Sequence, residues 1–406
     1  MAGTSERAQG TVHVIGGGPV GLFLAALLQS VPGQRVRVYE KRPEYTRNRM
    51  VTLAPYLLAD TIESYRADTI DGQHVEAIFD RVELETRLAY RHTVASDLRA
   101  LVQEWTQGFV PLKTIERGLS ELIRSRGSGD VEFVFADVSG EDALALAEPH
   151  DVIVDCGGTH AVLRDLLAVG DESGTRGANT WLLNLEHALM ITFLYDAPFE
   201  CDEFCKYYKN LENTGYKFIP SVKRTSYDGN VTHVTGIVSI SRAEFEAMPS
   251  RFSGAWLREN FPLIATSMDG FISRMQQQSP GNVVGDLEIV RIPLNVYHAW
   301  NTTSRRWHDS GEDHALARTP VFLLGDAAIG SPYFQSISLG FECAFHLAGH
   351  LANTRLPLGV VFERYETFMG QQWLRVYMRS QMIKHNKDLL QVVDDTNGLL
   401  SQLHIY

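Results

Sequence analysis

Residues 12–40 constrain this chain more tightly than any other stretch. Val12-His13-Val14-Ile15 is an apolar strand that runs straight into Gly16-Gly17-Gly18-Pro19-Val20-Gly21. Residues 20–30 read as a buried helix, and Arg35 to Glu40 alternates like a second strand. In such a Gly-x-Gly-x-x-Gly turn, Gly16 permits the tight bend, Gly18 lets the backbone approach a pyrophosphate, and Gly21 lets the helix pack on the strand. Pro19 and Val20 open a helix whose free N–H groups and positive dipole end favour an anion. Glu40 follows Gly21 by about twenty residues, the spacing at which an acid bonds the ribose hydroxyls. These features define the βαβ opening of a dinucleotide-binding domain.

A second fingerprint returns about three hundred residues later, where the apolar run Val321-Phe322-Leu323-Leu324 ends in Gly325-Asp326. A carboxylate beside a glycine at a strand end reaches a polyol without a clash. Together the two fingerprints point to FAD held across the whole domain.

Composition narrows the remaining classes. The chain has 406 residues, 44% hydrophobic and 21% charged, which suits two packed domains. Its net charge of −12 argues against nucleic acid or an anionic membrane as the main partner. No apolar run reaches the ~18–20 residues that span a bilayer. The polar opening residues do not read as a signal peptide. Cys156, Cys201, Cys205 and Cys343 are scattered without metal-ligand spacing, so no metal site is expected and the cysteines fit a reducing, cytoplasmic setting.

Along the chain, residues 51–125 read as mostly helical. Val131–Phe135 and Asp151–Asp155 read as strands. From about 178 to 300 the pattern changes to β-branched and aromatic strands over Trp181–Tyr195, Tyr216–Pro220, Val231–Ser241 and Leu287–Tyr297, with short helices between them. The expected fold class is α/β: a Rossmann-like FAD-binding domain with an inserted sheet-based (α+β) substrate domain and C-terminal helices. The expected boundaries are 1–177 and 301–358 for the FAD-binding domain, 178–300 for the substrate domain and 359–406 for the C-terminal helical segment.

This layout resembles the aromatic-hydroxylase group of FAD monooxygenases, which includes para-hydroxybenzoate hydroxylase and kynurenine 3-monooxygenase. Gly16, Gly18, Gly21 and Glu40 carry the first part of the match. Thr46–Ala54 is similar to the arginine-bearing loop after the second strand, which implies a cofactor contact from Arg47 or Arg49, with Arg49 favoured. Arg117 matches a further cofactor-side position, and Lys41 sits beside Glu40. The late patch implies that Gly325 and Asp326 hold the ribityl hydroxyls. It places Pro332 and Gln335 at the reactive edge of the isoalloxazine, and Ser338 and Leu339 at a helix N-terminus that stabilises reduced flavin.

The chain also departs from the family. The middle motif, Asp-Gly-x-x-Ser-x-x-Arg, becomes Gly157-Gly158-Thr159-His160-Ala161-Val162-Leu163-Arg164, so only Gly158 and Arg164 survive, with Asp155 two residues early as a substitute. The usual Gly-Gln-Gly after Pro332 is Phe334-Gln335-Ser336, and Ser338 stands where Asn is usual.

The resemblance implies an FAD-dependent monooxygenase. NAD(P)H would serve as a transient reductant, and molecular oxygen would be delivered through a flavin C4a-hydroperoxide to hydroxylate or epoxidise a small aromatic or polyketide-like metabolite. The aromatic residues expected in the middle domain are Trp181, Phe193, Tyr207, Tyr208, Tyr216, Phe218 and Tyr297, more as core than as substrate contacts. His92, His160, His187 and His298 receive no role. The altered middle motif keeps a second class open, an FAD enzyme of this fold that works without NAD(P)H as a cyclase, isomerase or substrate dehydrogenase. A non-enzymatic flavin-binding protein is the third. The Trp-rich motif of tryptophan halogenases is lacking. Oligomeric state is not encoded in any of these features.

Overall fold

Apolar runs followed by glycine turns and helices set the order of elements in the computed structural model. It describes residues 7–47, 50–67, 94–108, 110–127, 129–168, 178–199, 215–224, 231–311, 314–332 and 336–402. The chain opens with β1 (Val12–Ile15), α1 (Pro19–Leu28), β2 (Val36–Tyr39), β3 (Met50–Val51), β4 (Val110–Pro111), α2 (Leu112–Ser125), β5 (Val131–Val134) and β6 (Val152–Asp155). The middle holds β7 (Thr180–Tyr195), β8 (Phe218–Arg224), β9 (Thr232–Ile240), β10 (Arg251–Ser253), α3 (Gly254–Asn260), α4 (Pro262–Gln278) and β11 (Val283–Ala299). The chain continues through β12 (Val321–Leu323), β13 (Ile329–Gly330), α5 (Ser336–Ala352) and α6 (Leu358–Gln402).

The chain divides into two compact units, one of residues 1–183 and 296–380, the other of residues 184–295 and 381–406. The C-terminal helix α6 therefore contributes to both units as one element.

The first unit is built on a five-stranded parallel sheet in the order β12-β6-β1-β2-β5. All four residues of β1 are buried, because β2 and β6 pair with it on either side and helices cover its faces. Helix α1 is apolar on every side: Leu22, Phe23, Leu24, Ala25, Ala26 and Leu28 are all buried. It packs against α5 through a stack of Phe23 on Phe341, ring centroids 3.9 Å apart, and against Phe345 edge-on at 5.0 Å. Helix α2 buries Ile115, Leu119 and Ile123, one stripe at helical spacing.

The second unit is an antiparallel sheet. Leu189, Ile191, Phe193 and Tyr195 on β7 share a buried core with Val234 and Val238 on β9 and with Met268, Phe271 and Met275 on α4. The alternate residues Met190, Thr192 and Leu194 are half-buried, as period-two strands with one helix-covered face require. Phe193 and Phe218 are thus core residues, whereas Tyr207 and Tyr208 lie outside the described residues.

Candidate functional site

A cleft of about 380 Å³ runs across the carboxyl ends of the parallel strands in the first unit. Ile15 and Gly16 after β1, Tyr39 and Glu40 after β2, Ala136–Val138 after β5, Cys156 and Gly157 after β6, and Leu324 after β12 all line it. Ligands of open α/β sheets bind in this crevice, and the volume lies in the ~300–1,000 Å³ range of small-molecule sites.

The centre of the cleft is the start of α1. Gly16 has φ +101°, and a Cβ there would meet the Cys156 carbonyl oxygen at 2.7 Å, so only glycine fits. A Cβ on Gly21 would lie 2.1 Å from the Gly16 oxygen. Gly18 differs: the nearest atom to its imagined Cβ is Arg47 Nη2 at 3.5 Å, so its approach is open. Gly18 is the N-cap of α1 and makes no side-chain cap bond, and the first turn carries no acid. Pro19, at the start of the helix, has no N–H to offer. The N–H groups of Val20 and Gly21 therefore face an end that favours an anion, with Arg47 beside it.

Toward β2 and β5, Glu40 is 5% exposed and accepts three bonds from Arg42: from the backbone N–H (2.9 Å), Nε (2.8 Å) and Nη2 (3.0 Å). Burial opposes its charge, but the Arg42 bonds outweigh burial and hold its carboxyl below the usual range. A carboxylate has about four acceptor positions, so capacity for a ribose hydroxyl remains. Lys41 also lines the cleft, 3.9 Å from Asp137. Arg49 lies outside the described residues, while Arg47 lines the cleft and pairs with Glu116. Arg117 is exposed and does not line the cleft. Its neighbour Glu116, fully buried, anchors Arg47 and lies 3.8 Å from Arg42. The sequence signal for Glu116 is its place beside Ile115 on the apolar stripe of α2.

Toward β6 and β12 the middle motif takes an unexpected form. Asp155 is fully buried, and its two oxygens accept from the N–H groups of Gly157 (2.8 Å) and Leu163 (2.7 Å). Asp155 thus shapes the loop from inside, whereas Gly157 lines the cleft. Burial raises the Asp155 carboxyl pKa, and burial with the Asp155 charge pushes the Cys156 thiol well up.

Arg164, to which sequence reasoning gave no role, ties two loops together. Its Nε donates to the Ala327 carbonyl (2.7 Å), and its Nη2 donates to those of Gly158 (2.7 Å) and Asp326 (2.8 Å). Tyr297 lies under its guanidinium at 5.2 Å and donates its own hydroxyl to the Asp326 carbonyl at 2.7 Å. That arrangement fixes Gly325, at φ +64°, and Asp326, which lines the cleft.

Beyond Asp326, Ile337 lines the cleft at the start of α5. Ser338 and Leu339 are 4% and 5% exposed, and Ser338 Oγ accepts from the Ala54 N–H at 2.9 Å. Pro332 is half-buried and not among the lining residues, and Gln335 lies outside the described residues. Among the described residues, no group of three or more His, Cys, Asp or Glu could hold a metal ion. No described helix is long and apolar enough to cross a membrane.

The residues present fit a dinucleotide flavin. An uncapped helix end flanked by arginines sits at the centre, an acid at one side, and a strand-end aspartate at the other.

No family model matches the chain, and no curated protein matches it. Solved structures do share its fold. A Photorhabdus luminescens protein assigned as an FAD-containing monooxygenase is 12% identical, with 92% of this chain and 97% of that one covered and a TM-score of 0.54. The tetracycline destructase Tet(51) is 14% identical over 97% of this chain and 96% of its own, with a TM-score of 0.52. The flavin-dependent halogenase CmlS is 16% identical over 92% of this chain, with a TM-score of 0.50, but the chain spans only 63% of its length. The chain has the fold of FAD-containing monooxygenases and flavin-dependent halogenases, a Rossmann-like sheet with a second antiparallel sheet and C-terminal helix.

Proposed function

We propose that this chain is an FAD-dependent oxidoreductase of the monooxygenase type, acting on a small apolar aromatic or polyketide-like metabolite with molecular oxygen. One observation carries the reading: a single cleft joins the open, uncapped Gly18 end of α1 to Asp326. Those are the two ends at which a dinucleotide flavin is held in this fold. Tet(51) is named as a tetracycline destructase, which supports a polyketide-like metabolite as substrate.

Each residue then has a task. The Val20 and Gly21 N–H groups and Arg47 receive the pyrophosphate. Glu40, oriented by Arg42, takes the adenosine ribose. Asp326, fixed through its carbonyl by Arg164 and Tyr297, accepts from the ribityl hydroxyls. Bound FAD supplies the two-electron chemistry and the reaction with oxygen. The protein sets the position of the cofactor, offers the α5 dipole at its start and, through burial and Asp155, raises the pKa of the Cys156 thiol.

A second reading, FAD chemistry without NAD(P)H in a cyclase, isomerase or substrate dehydrogenase, is favoured by one observation. Asp155 turns inward to Gly157 and Leu163 and does not line the cleft. Anaerobic mixing of the FAD-loaded protein with NADH and then NADPH separates the two. Bleaching of the flavin band near about 450 nm, reversed by oxygen, supports the monooxygenase. A yellow protein that neither nucleotide reduces supports the second reading.

A further inference from the structure

His13 is an anomaly in β1. The other residues of this central strand are apolar and every one is buried, yet a titratable ring occupies the second position, 1% exposed. A polar group there is tolerated only if its bonds are made. Both ring nitrogens are engaged: Nε2 lies 3.0 Å from Asp151 Oδ2, and Nδ1 lies 3.0 Å from the Tyr39 hydroxyl. The two partners come from separate elements, the turn before β6 and the end of β2.

The direction of the Asp151 bond follows from the chemistry of the partners. Asp151 also accepts from the N–H groups of Thr11 (2.6 Å) and Glu148 (2.9 Å). Burial opposes its charge, but the bonds from His13, Glu148 and Thr11 outweigh it and keep its carboxyl below the usual range. An ionised carboxylate only accepts, so His13 turns an Nε2–H toward Asp151 and leaves Nδ1 for the Tyr39 hydroxyl. Burial raises the Tyr39 phenol pKa, so the hydroxyl that meets Nδ1 keeps its proton. The other charged groups near Tyr39 are Arg37 and Glu132, which pair with each other at 2.7 Å.

The turn that presents Asp151 is strained. His150 has φ 77°, the sole non-glycine residue with positive φ among those described. A Cβ on Gly10 would lie 2.2 Å from the His150 carbonyl oxygen, so the segment before β1 is pressed against this turn. Strain of this kind persists where surrounding contacts over-determine it.

At the far end of the chain of bonds, Tyr39 lines the cofactor cleft, immediately before Glu40. Its hydroxyl is held by His13 Nδ1 and also accepts from the Arg37 side chain, so the ring it presents to the cleft is tied down from the strand interior. We infer that Asp151, His13 and Tyr39 form a buried positioning relay that holds the wall of the adenosine side of the cleft. His13 and Asp151 are then positioning residues that never touch the ligand. The inference rests on the FAD reading above and adds to it a dependence of cofactor affinity on a carboxylate outside the cleft.

The test is a double-mutant cycle on the full chain with Tyr39→Phe, Asp151→Asn and the pair. Dissociation constants are measured for FAD by quenching of flavin fluorescence and for ADP by calorimetry. Each single variant should weaken FAD about five- to tenfold, the scale of one lost anchoring hydrogen bond. ADP should weaken by the same factor, because the loss sits at the adenosine side. The double variant should be no weaker than either single one, because a relay is broken once. Multiplying losses, unchanged FAD affinity in Asp151→Asn, or a loss for FAD without one for ADP would each overturn the relay. If Asp151→Asn does not fold, Tyr39→Phe, which removes one oxygen atom, decides alone by the FAD and ADP comparison. A wild-type chain that binds ADP but no FAD overturns the FAD reading, and the ADP arm still tests the relay. A wild-type chain that binds neither overturns both.

Discussion

Gly18 gives the sharpest separation between folding and binding at the scale of single residues. Its backbone has φ −74° and ψ −176°, which any residue adopts at an N-cap, and its Cβ position is open. Gly18→Asp supplies the missing cap and places a carboxylate on the helix dipole, which stabilises a helix by about 0.5–2 kcal/mol. The same carboxylate occupies the anion's place beside Arg47. The expected outcome is a melting temperature of the free protein that is unchanged or higher, and FAD affinity at least ~100-fold weaker, about 2.7 kcal/mol.

Glu40 gives a pH dependence of known sign. Its native carboxyl titrates below the ordinary Glu range, so its contribution to stability is present above about pH 4.3 and is lost as pH falls through the depressed value. Glu40→Gln should flatten the fall in unfolding free energy seen by urea titration between about pH 6 and 3. An unchanged slope would show that the Arg42 bonds do not depend on the charge.

The glycines, Glu40 and Asp326 were legible in sequence because each meets a steric or charge requirement fixed by spacing. Arg164 is legible only as a surviving motif residue and Glu116 only by its place on the apolar stripe of α2, and neither task is. Their partners are backbone carbonyls and side chains brought close by folding, and no spacing rule encodes those.

Strand and helix assignments followed the same divide. Trp181–Tyr195 reads as a strand in sequence, and β7 spans Thr180–Tyr195, because alternation over a long run leaves little freedom. The edge strand was displaced: Tyr216–Pro220 was expected, and β8 runs Phe218–Arg224. Its second half, Ser221-Val222-Lys223-Arg224, carries a single apolar residue and is a strand because β9 pairs with it. The expected C-terminal helical segment is the single helix α6.

Packing within the antiparallel unit rests on a glycine that the strand pattern did not single out. A Cβ on Gly236 of β9 would lie 2.0 Å from the Phe218 ring of β8, whose face fills the glycine's place and packs on Phe271 at 4.9 Å. Gly236→Ala should therefore destabilise the protein by about 1–3 kcal/mol through overpacking. Adding Phe218→Leu should recover part of that loss, because the smaller side chain can yield. Chemical denaturation of the two variants checks this, and an additive loss would contradict the contact.

For the molecule as a whole, the order of elements is what tied the two fingerprints together. The parallel sheet places β12 beside β6 and β6 beside β1, although β12 comes last of the five in sequence. That order brings Asp326 to the same cleft as Gly18. The sequence carried the motifs. The net charge of −12 belongs to the whole surface and leaves the arginines of the cleft as a local exception.

The central claim is that this cleft holds FAD. The most direct measurement is the absorbance spectrum of the protein purified in the presence of FAD and then stripped of free ligand, taken beside Gly18→Asp prepared in the same way. The account expects a yellow wild-type protein with a band near about 450 nm, one flavin per chain, and a colourless but folded variant. A colourless wild-type protein, or a variant that retains flavin as well as the wild type, would contradict it.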